Sequence, residues 1–283
     1  MNRLNILGAA SGLILFFVVG SAVAQDDQVL KEITNLPWQS YPATGAIGTT
    51  ARVSLTNDLW FLQAAGTSRF LELNGNPPRS DNYTLAPSSL DWFAVFAFDS
   101  IGYVKDDEQL DPVELLRVLR EQNVASAAER RRLQLPVLTV DGWAVPPHYD
   151  VETHRLEWAV RLMADDGHPV VNYTVRLLGR AGVMNAILVS DLQNLSANVQ
   201  QFKAALRGFD FVPGQKYAEF RQGDRVAEYG LAALIVGGAA AAAAKSGALK
   251  GLGKLVGIAV VGGLAAIGAF FKRLFGRKDS QPA

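Results

Sequence analysis

Residues 92–98 read Trp-Phe-Ala-Val-Phe-Ala-Phe, an unbroken apolar run in the first half of the chain. Seven consecutive apolar residues, many of them aromatic or β-branched, predict a β-strand that is buried on both faces. We therefore expect this strand at the centre of a sheet, with the rest of the domain arranged around it.

The sequence before this strand predicts one hairpin and one helix. Residues 49–55 alternate in a strand-like way, Thr56-Asn57-Asp58 is typical of a turn, and residues 59–62 can form the returning strand. Residues 64–73 predict a short helix, which ends at Asn74-Gly75-Asn76-Pro77-Pro78 because glycine and proline stop helices.

The sequence after the central run predicts a helix, a meander of strands and a last helix. Asp111-Pro112-Val113-Glu114 supplies an N-cap, a proline at the first helical position and a glutamate at the third. Residues 194–206 predict the last helix. Four strands are expected between these helices, at residues 137–140, 155–163, 170–178 and 183–190. Strands in runs, short hairpin links and separate helices indicate an α+β fold, a mostly antiparallel sheet with a few packed helices.

The N-terminal residues predict export. Arg3 is followed by an apolar stretch over residues 4–20 and then by Ala22-Val23-Ala24, the small-x-small pattern that signal peptidase accepts. The stretch is shorter than the roughly 20 residues that a membrane span requires. Residues 1–24 are therefore predicted to be a signal peptide, with an uncleaved signal anchor as the alternative.

The C-terminal residues predict a hydrophobic membrane helix or helical hairpin. Residues 231–244 and 255–271 carry no charge, and the second run is followed by Lys272-Arg273. One span near residues 252–271 would place the basic residues after it in the cytoplasm, as the positive-inside rule prefers. A hairpin in which residues 231–244 also cross is the alternative.

These signals divide the chain into five parts and place the main domain outside a cytoplasmic membrane. The predicted parts are a signal peptide at 1–24, a linker at 25–46, an exported α+β domain at 47–229, a membrane anchor at 230–275 and a basic tail at 276–283. The expected partners are the lipid bilayer and either another envelope protein or a second copy bound through the glycine-rich helices.

Charge and cysteine content exclude several classes of function. All but one of the 27 acidic residues lie between residues 25 and 229, the predicted linker and domain, but only 19 of the 27 basic ones do. An acidic domain repels phosphates, so a nucleic-acid partner is not expected. The chain has no cysteine, which rules out disulfides, thiolate zinc sites, iron–sulfur clusters and a cysteine nucleophile.

The motifs that punctuate the predicted elements resemble a known family. They are Gly102-Tyr103-Val104-Lys105-Asp106-Asp107, Gly142-Trp143-x-x-Pro146-Pro147-His148-Tyr149-Asp150, Leu156-x-Trp158-Ala159, Asn172-Tyr173, Gly179-Arg180-x-Gly182-Val183-Met184, Gly214-x-x-Tyr217-Ala218-Glu219-Phe220 and Gly223-Asp224-x-Val226-Ala227-x-Tyr229-Gly230. In this order they resemble a family of bacterial membrane-anchored proteins that carry a domain of unknown function. The resemblance implies a leader, a domain and a C-terminal anchor, and it implies no activity.

Catalytic, cofactor and metal signatures are not found in the exported part. There is no Gly-x-Ser-x-Gly, Ser-x-x-Lys, Gly-x-Gly-x-x-Gly or phosphate-binding Gly-x-x-x-x-Gly-Lys-Ser/Thr pattern. The histidines His148, His154 and His168 match no zinc spacing. No catalytic residue, cofactor or metal ligand is therefore predicted.

Loop aromatics and charges provide the candidate binding residues, because exposed aromatics in loops can dock a partner. The candidates are Tyr103, Lys105, Asp106, Asp107, Trp143, His148, Tyr149 and Asp150. Two other functions are kept as alternatives. One is a hydrolase or metal-assisted enzyme in which Asp106, Asp107, His148 and Asp150 come together, and the other is a structural subunit of a membrane assembly.

Overall fold

The computed structural model describes residues 22–237, apart from residues 57, 75, 77, 133–136, 165, 166, 168 and 191. The helices are α1 (Ala22–Thr34), α2 (Ala64–Leu73), α3 (Pro112–Arg132), α4 (Leu195–Ala205) and α5 (Leu231–Val236). The strands are β1 (Gln39–Ser40), β2 (Thr44–Ile47), β3 (Ala51–Ser54), β4 (Leu59–Leu62), β5 (Asn82–Pro87), β6 (Trp92–Asp99), β7 (Leu138–Asp150), β8 (Arg155–Ala164), β9 (Pro169–Leu178), β10 (Val183–Ser190) and β11 (Phe209–Phe211). The fold is α+β, as the sequence predicts.

An eight-stranded antiparallel sheet forms the centre of the domain, in the order β1-β4-β5-β6-β10-β9-β8-β7. The apolar run at 92–98 is β6, the fourth strand, and it pairs along its whole length with β10. The predicted central strand is therefore confirmed. So is the meander, because β7, β8, β9 and β10 are neighbours in sequence order.

One face of this sheet packs against α4 and against a second sheet of three strands, in the order β11-β3-β2. Trp92, Ala94 and Phe96 of β6 point to this face, because alternate residues of a strand share one side. They form the largest apolar cluster with Phe202 of α4 and Phe209 of β11. We call this side the α4 face.

Two pairs of helices cover the opposite face. Helices α1 and α2 pack over the β4–β5–β6 end, where Phe70 and Phe93 form a cluster. Helices α3 and α5 pack over the β7–β8 end, where Leu115 and Leu234 join Leu156 and Trp158. We call this side the helix-pair face.

Helix α3 begins as the sequence predicts. The Asp111 carboxylate accepts hydrogen bonds from the backbone N–H groups of Val113 at 2.9 Å and Glu114 at 3.2 Å. These N–H groups have no partner within the helix, so a side-chain acceptor at the N-cap satisfies them.

The Asp111 N-cap provides a stability prediction. Asp111→Ala is expected to lower the free energy of unfolding by about 1 kcal/mol, because two helical N–H groups lose their acceptor. Asp111→Asn keeps a side-chain oxygen and is the matched control. Urea unfolding of both variants measures the difference, and an equal loss in the two would contradict a capping role.

The predicted hairpin at residues 49–62 is wrong. Strand β3 pairs with β2 and β11 in the small sheet, whereas β4 pairs with β1 and β5 in the large one. The residues between Ser54 and Leu59, which look like a hairpin turn, instead connect the small sheet to the large one. Strand β5 is a further difference, since no element is predicted between residues 78 and 92.

The predicted linker at residues 25–46 is also wrong for the residues that the structure describes. Helix α1 occupies most of its first half, and Ile33 is buried against α2. Strands β1 and β2 follow, and the virtual Cβ of Gly45 in β2 would meet the Phe61 ring at 2.5 Å. This segment therefore contributes β1 to the large sheet and β2 to the small sheet. Its proline and glycine residues occur where the chain packs tightly.

The packed domain continues past the expected boundary at Tyr229. In α5, Leu231, Leu234, Ile235 and Val236 are at most 7% exposed, and they belong to the cluster with Leu156. Across the described part of the chain, no helix combines the length and apolarity needed to cross a bilayer. The predicted anchor from residue 238 onward, the basic tail at 276–283 and all but the last three residues of the predicted signal peptide lie outside the described residues.

Candidate functional site

The motif from Gly142 to Asp150 lies in strand β7, so the prediction that it forms loops is wrong. Strand β7 is at the edge of the large sheet, and its register against β8 shifts three times between Val140 and His148. Proline cannot donate to a strand ladder and is tolerated at edges and bulges. Pro146 and Pro147 fall in the last of these shifts.

The β7–β8 hairpin ends in a turn that Asp150 organises. Its carboxylate accepts hydrogen bonds from the backbone N–H of Glu152 at 2.9 Å and from the Thr153 hydroxyl at 2.7 Å. The bond from Thr153, followed by that from the Glu152 backbone, lowers the pKa of Asp150. His154 closes the turn at φ 51°, a left-handed conformation uncommon for a residue with a side chain.

The turn brings His154 and Tyr149 to Asp106, which lies in the segment between β6 and α3. The Tyr149 hydroxyl donates to Asp106 Oδ2 at 2.8 Å and lies 3.2 Å from Nδ1 of His154. The same histidine nitrogen is 3.5 Å from Asp106 Oδ2. The Asp106 and His154 side chains are 29% and 30% exposed, so the cluster is at the surface and partly shielded from water.

Four aromatic rings form a continuous stack beside this cluster, in the order Phe220, Tyr103, Tyr217 and His154. Their successive centroid distances are 4.2, 4.4 and 4.2 Å. Tyr217 is buried at 7% exposure and donates its hydroxyl to the Val104 carbonyl at 2.9 Å, whereas Phe220 is 37% exposed. The stack therefore has a buried ring, Tyr217, inside it and a partly exposed ring at each end. We call these four residues the aromatic ladder.

The pKa values of Asp106, Tyr149 and Tyr217 are all shifted away from neutrality. Burial acts to raise the pKa of Asp106, but hydrogen bonds, that from the Tyr149 hydroxyl first, together bring this pKa below the usual value. Burial, then Asp106, raises the pKa of the Tyr149 phenol. Burial, then Tyr103, raises the pKa of the Tyr217 phenol. The Tyr149 phenol is thus a hydrogen-bond donor to an ionised carboxylate, whereas the Tyr217 phenol donates to the Val104 carbonyl.

The segment that carries Tyr217 and Phe220 is held to the sheet by Arg180 and Asp224. The guanidinium donates two hydrogen bonds to the carboxylate, at 2.7 and 2.8 Å, and the Arg221 backbone N–H donates a third at 2.7 Å. Bidentate pairing of this kind also restricts orientation. The Arg180 side chain, followed by the Arg221 backbone, lowers the pKa of Asp224 to about 2.

This ion pair makes a pH-dependent contribution to stability. The pKa of Asp224 is about 2 in the folded protein against 3.8 for a free carboxyl, so its contribution is complete above pH 4 and disappears as the pH falls toward 2. The difference in urea midpoint between wild type and Asp224→Asn is expected to be constant near neutral pH and to narrow below pH 4. Asp81→Asn, whose hydrogen bond is to the adjacent Ser80, is the charge-matched control. A difference that widens in acid would contradict the pairing.

A depression of about 280 Å³ lies beside the ladder. It is lined by Lys105, Asp107, Glu108, Val226, Ala227, Glu228, Tyr229 and Gly230. Glu108 accepts a hydrogen bond from the Ala232 N–H at the start of α5, at 3.0 Å. The ladder is next to the depression because Tyr103 and Val226 form a β-bridge. We call the ladder and the depression together the ladder surface.

Five of the eight predicted binding residues belong to this surface or touch it. Tyr103 and the Asp106–Tyr149 pair lie at the ladder, and Lys105 and Asp107 line the depression. Trp143 does not belong to it, because its indole N–H donates to the Pro112 carbonyl and the ring packs under α3.

His148 and Asp150 lie on the other side of the sheet. Tyr149 pairs with Leu156 on the helix-pair face, so its neighbours in β7 point to the α4 face. The four residues of the alternative enzyme, Asp106, Asp107, His148 and Asp150, are therefore not assembled into one site. Asp106 instead meets His154.

The sequence prediction missed His154, Tyr217 and Phe220. Tyr217 and Phe220 occur in the motif that begins at Gly214, which contributes to the family resemblance but does not by itself indicate a site. Contact between residues 103 and 217 depends on long-range packing, and no local pattern indicates it. The sequence signal for this contact is Gly102. Its φ of 98° turns the chain toward Arg225.

Residues 39–268 of the 283-residue chain match the family described as protein of unknown function (DUF2167). The chain belongs to the DUF2167 family. The predicted resemblance to a family with a domain of unknown function is thereby confirmed at that level. The matched range of DUF2167 includes the whole ladder surface and the Arg180–Asp224 pair.

Other comparisons add a distant structural likeness. The chain is similar to the solution structure of cyanobacterial PsbP (CyanoP) from Synechocystis sp. PCC 6803, at 9% sequence identity and a TM-score of 0.35. The similarity covers 62% of this chain and 93% of that chain. No curated protein matches this member of the DUF2167 family.

Proposed function

We propose that this protein is a recognition domain of the bacterial envelope, held at the outer side of the cytoplasmic membrane, and that it binds another envelope component through the ladder surface. It acts by binding and does not catalyse a reaction. The observation that carries the proposal is the convergence of three separate chain segments, around residues 103–108, 149–154 and 217–230, on one surface.

The composition of the ladder surface supports binding. Aromatic residues are enriched among those that contribute most to protein interfaces, because they bury a large rigid area. Phe220 in the ladder and Val226 in the depression are 37% and 40% exposed. Three carboxylates and one lysine line it, so we infer that the partner presents basic groups.

The pKa shifts of Asp106 and Tyr149 favour binding over proton transfer by these two groups. A general acid or base works best when its pKa is near the operating pH. The pKa of Tyr149 moves up and that of Asp106 moves down, so the two groups move away from neutrality and hold each other in place. The cluster thus keeps the hairpin tip attached to the segment before α3.

The envelope location is inferred from the chain ends. Residues 1–24 have the features of a signal peptide, and residues 252–271 have the apolarity of a span followed by basic residues. A domain tethered in this way would face the space outside the membrane, where its acidic surface can meet membrane-bound partners.

Site-specific photo-crosslinking in cells tests the binding surface. A photoreactive amino acid replaces Phe220 or Val226 in the full chain, and Val113, which is 80% exposed on α3, is the matched control. We expect the same adduct at Phe220 and Val226, and none at Val113. The adduct should weaken when Asp107 and Glu228 are changed to lysine, because the acidic lining is reversed. Identical adducts at all three positions, or none at the ladder surface, would refute the proposal.

The location is tested separately. Cell fractionation of the full chain should place it in the membrane fraction, resistant to high salt. A reporter fused to Arg79, in the exposed region before β5, should be active only outside the cytoplasm. Activity only in the cytoplasm would refute export without affecting the crosslinking result.

A further inference from the structure

The middle of the helix-pair face lies between the two pairs of helices. Along one row of the sheet, Thr84, Val95, Ile187, Thr174 and Trp158 are successive neighbours on β5, β6, β10, β9 and β8. Trp158 packs with α5 at one end of this row, and Val95 packs with α1 and α2 at the other. Ile187 lies between and belongs to none of the apolar clusters of the described residues.

Polar side chains surround Ile187 on this part of the sheet. Asn172, Thr174 and Arg176 follow one another on the same side of β9, and Asn185 is the neighbour of Arg176 on β10. Asn172 and Asn185 are only 6% and 8% exposed. We call Asn172, Thr174, Arg176, Asn185 and Ile187 the sheet trough.

The trough contains hydrogen-bonding atoms without partners among the described residues. They are both amide atoms of Asn172, Oδ1 of Asn185 and Nε of Arg176, and Thr84 Oγ1 at the end of the row is in the same condition. Buried polar groups in folded proteins are almost always paired, and leaving one unpaired is costly. Donors and acceptors that are removed from water in this way indicate that another polar chain belongs here.

Helix α5 brings the C-terminal part of the chain to the edge of the trough. Its residues Leu231 and Val236 pack in the cluster with Trp158 and Leu178, and Leu178 is on β9 next to the trough. Gly237 ends the helix with φ 95°. The chain then continues with Gly238 and six consecutive alanines at residues 239–244.

We propose that residues 238–244 dock in the sheet trough, across β9 and β10. Their backbone groups would pair with the Asn172 and Asn185 amides, and their small side chains allow the close approach that such pairing requires. Three strand spacings separate β8 from β6, about 14 Å. Seven residues span roughly 10 Å as a helix and up to about 24 Å when extended. The segment is therefore long enough to cross the trough.

Docking of this segment has a consequence for the membrane anchor, which rests on the proposed envelope location. Residues 231–236 are in the domain core, and residues 238–244 would be on the sheet, so neither part can enter the bilayer. A hairpin anchor would lose its first crossing. One span near residues 252–271 remains, with the basic tail on the opposite side of the membrane from the domain.

Disulfide crosslinking tests the docking. The natural chain has no cysteine, so a double variant contains one pair. Thr174→Cys is combined in turn with cysteine at each of residues 239–244, in the full chain in membranes, and oxidised with copper phenanthroline. A disulfide needs Cα atoms about 4.4–6.8 Å apart, so the yield reports contact. We expect efficient crosslinks at one or two of the six positions, identified by mass spectrometry.

Gln200→Cys, exposed on α4 at the opposite face, is the matched control for Thr174→Cys and should give no crosslink. Ile187→Cys, on the neighbouring strand, repeats the test in case Thr174→Cys destabilises the domain. Absence of a crosslink from both trough positions, or equal yields with Gln200→Cys, would overturn the proposal. Crosslinks in a chain that fractionates as soluble would support the docking and refute the anchor.

Discussion

Gly102→Ala is expected to lower the free energy of unfolding by about 2–4 kcal/mol, from backbone strain plus lost hydrogen bonds. Gly102 has φ 98°, a conformation that residues with a Cβ rarely adopt. An added Cβ would lie 2.7 Å from the Arg225 carbonyl oxygen and 3.1 Å from the Ala227 nitrogen. Both atoms are backbone and cannot rotate away.

The contact that Gly102 allows connects two segments of the ladder surface, the one that carries Tyr103 and the one that carries Val226. The Tyr103 N–H donates to the Arg225 carbonyl at 2.8 Å, and the Ala227 N–H donates to the Tyr103 carbonyl at 2.8 Å. Moving the 225–227 segment away would break these bonds and separate Tyr103 from Val226. We therefore expect Gly102→Ala to reduce the crosslink at Val226 even in molecules that remain folded.

Two other glycines separate the causes of this effect. Gly223 has φ 99° but open space around its virtual Cβ, so Gly223→Ala should cost only the strain, on the order of 1–2 kcal/mol. Gly142 has open space and no positive φ, so Gly142→Ala should change stability by less than about 0.5 kcal/mol. Urea unfolding of the three variants gives the order. A cost at Gly102 no greater than at Gly223 would show that close backbone contact is unimportant.

Local signals predict the elements whose partners are near in sequence. The 92–98 run could be assigned to the sheet centre because apolar residues on both sides of a strand need cover on both faces. The capped start of α3 and the β8–β9–β10 meander follow from side-chain chemistry and short connections. These predictions are confirmed because composition, capping and short connections indicate them locally, even though β6 also pairs with the distant strand β10.

Long-range pairing decides the elements that were missed. Strand β3 pairs with β11, more than 150 residues later, and that partner overrides the turn-like residues after Ser54. Strand β7 contains two prolines and reads as a loop, but an edge position and shifted register accommodate them. The candidate site has the same limitation. Tyr103 was identifiable as an unusual loop aromatic, whereas Tyr217 becomes part of the site only when the chain folds back over Gly102.

Phe202→Ala is expected to lower the free energy of unfolding by about 3–5 kcal/mol, the range for removing a buried aromatic ring. Phe202 is fully buried on α4, and its ring meets those of Trp92 at 5.9 Å, Phe96 at 6.5 Å and Tyr173 at 6.5 Å. Its removal leaves a cavity lined by rigid rings, which cannot collapse to fill the space. Gln200→Ala, exposed on the same helix, is the control and should change stability by less than about 0.5 kcal/mol.

The location of Phe202 also predicts that removing its ring leaves binding at the ladder surface unchanged. The cavity is on the α4 face, whereas the ladder surface is held by contacts among β7, the 103–108 segment and the 217–230 segment. Sites that share no partner contribute additively to stability. Molecules of Phe202→Ala that are folded should therefore crosslink at Phe220 with wild-type efficiency, even though fewer of them are folded. Loss of the crosslink at a temperature where circular dichroism shows a fully folded variant would mean that the two faces of the sheet are coupled.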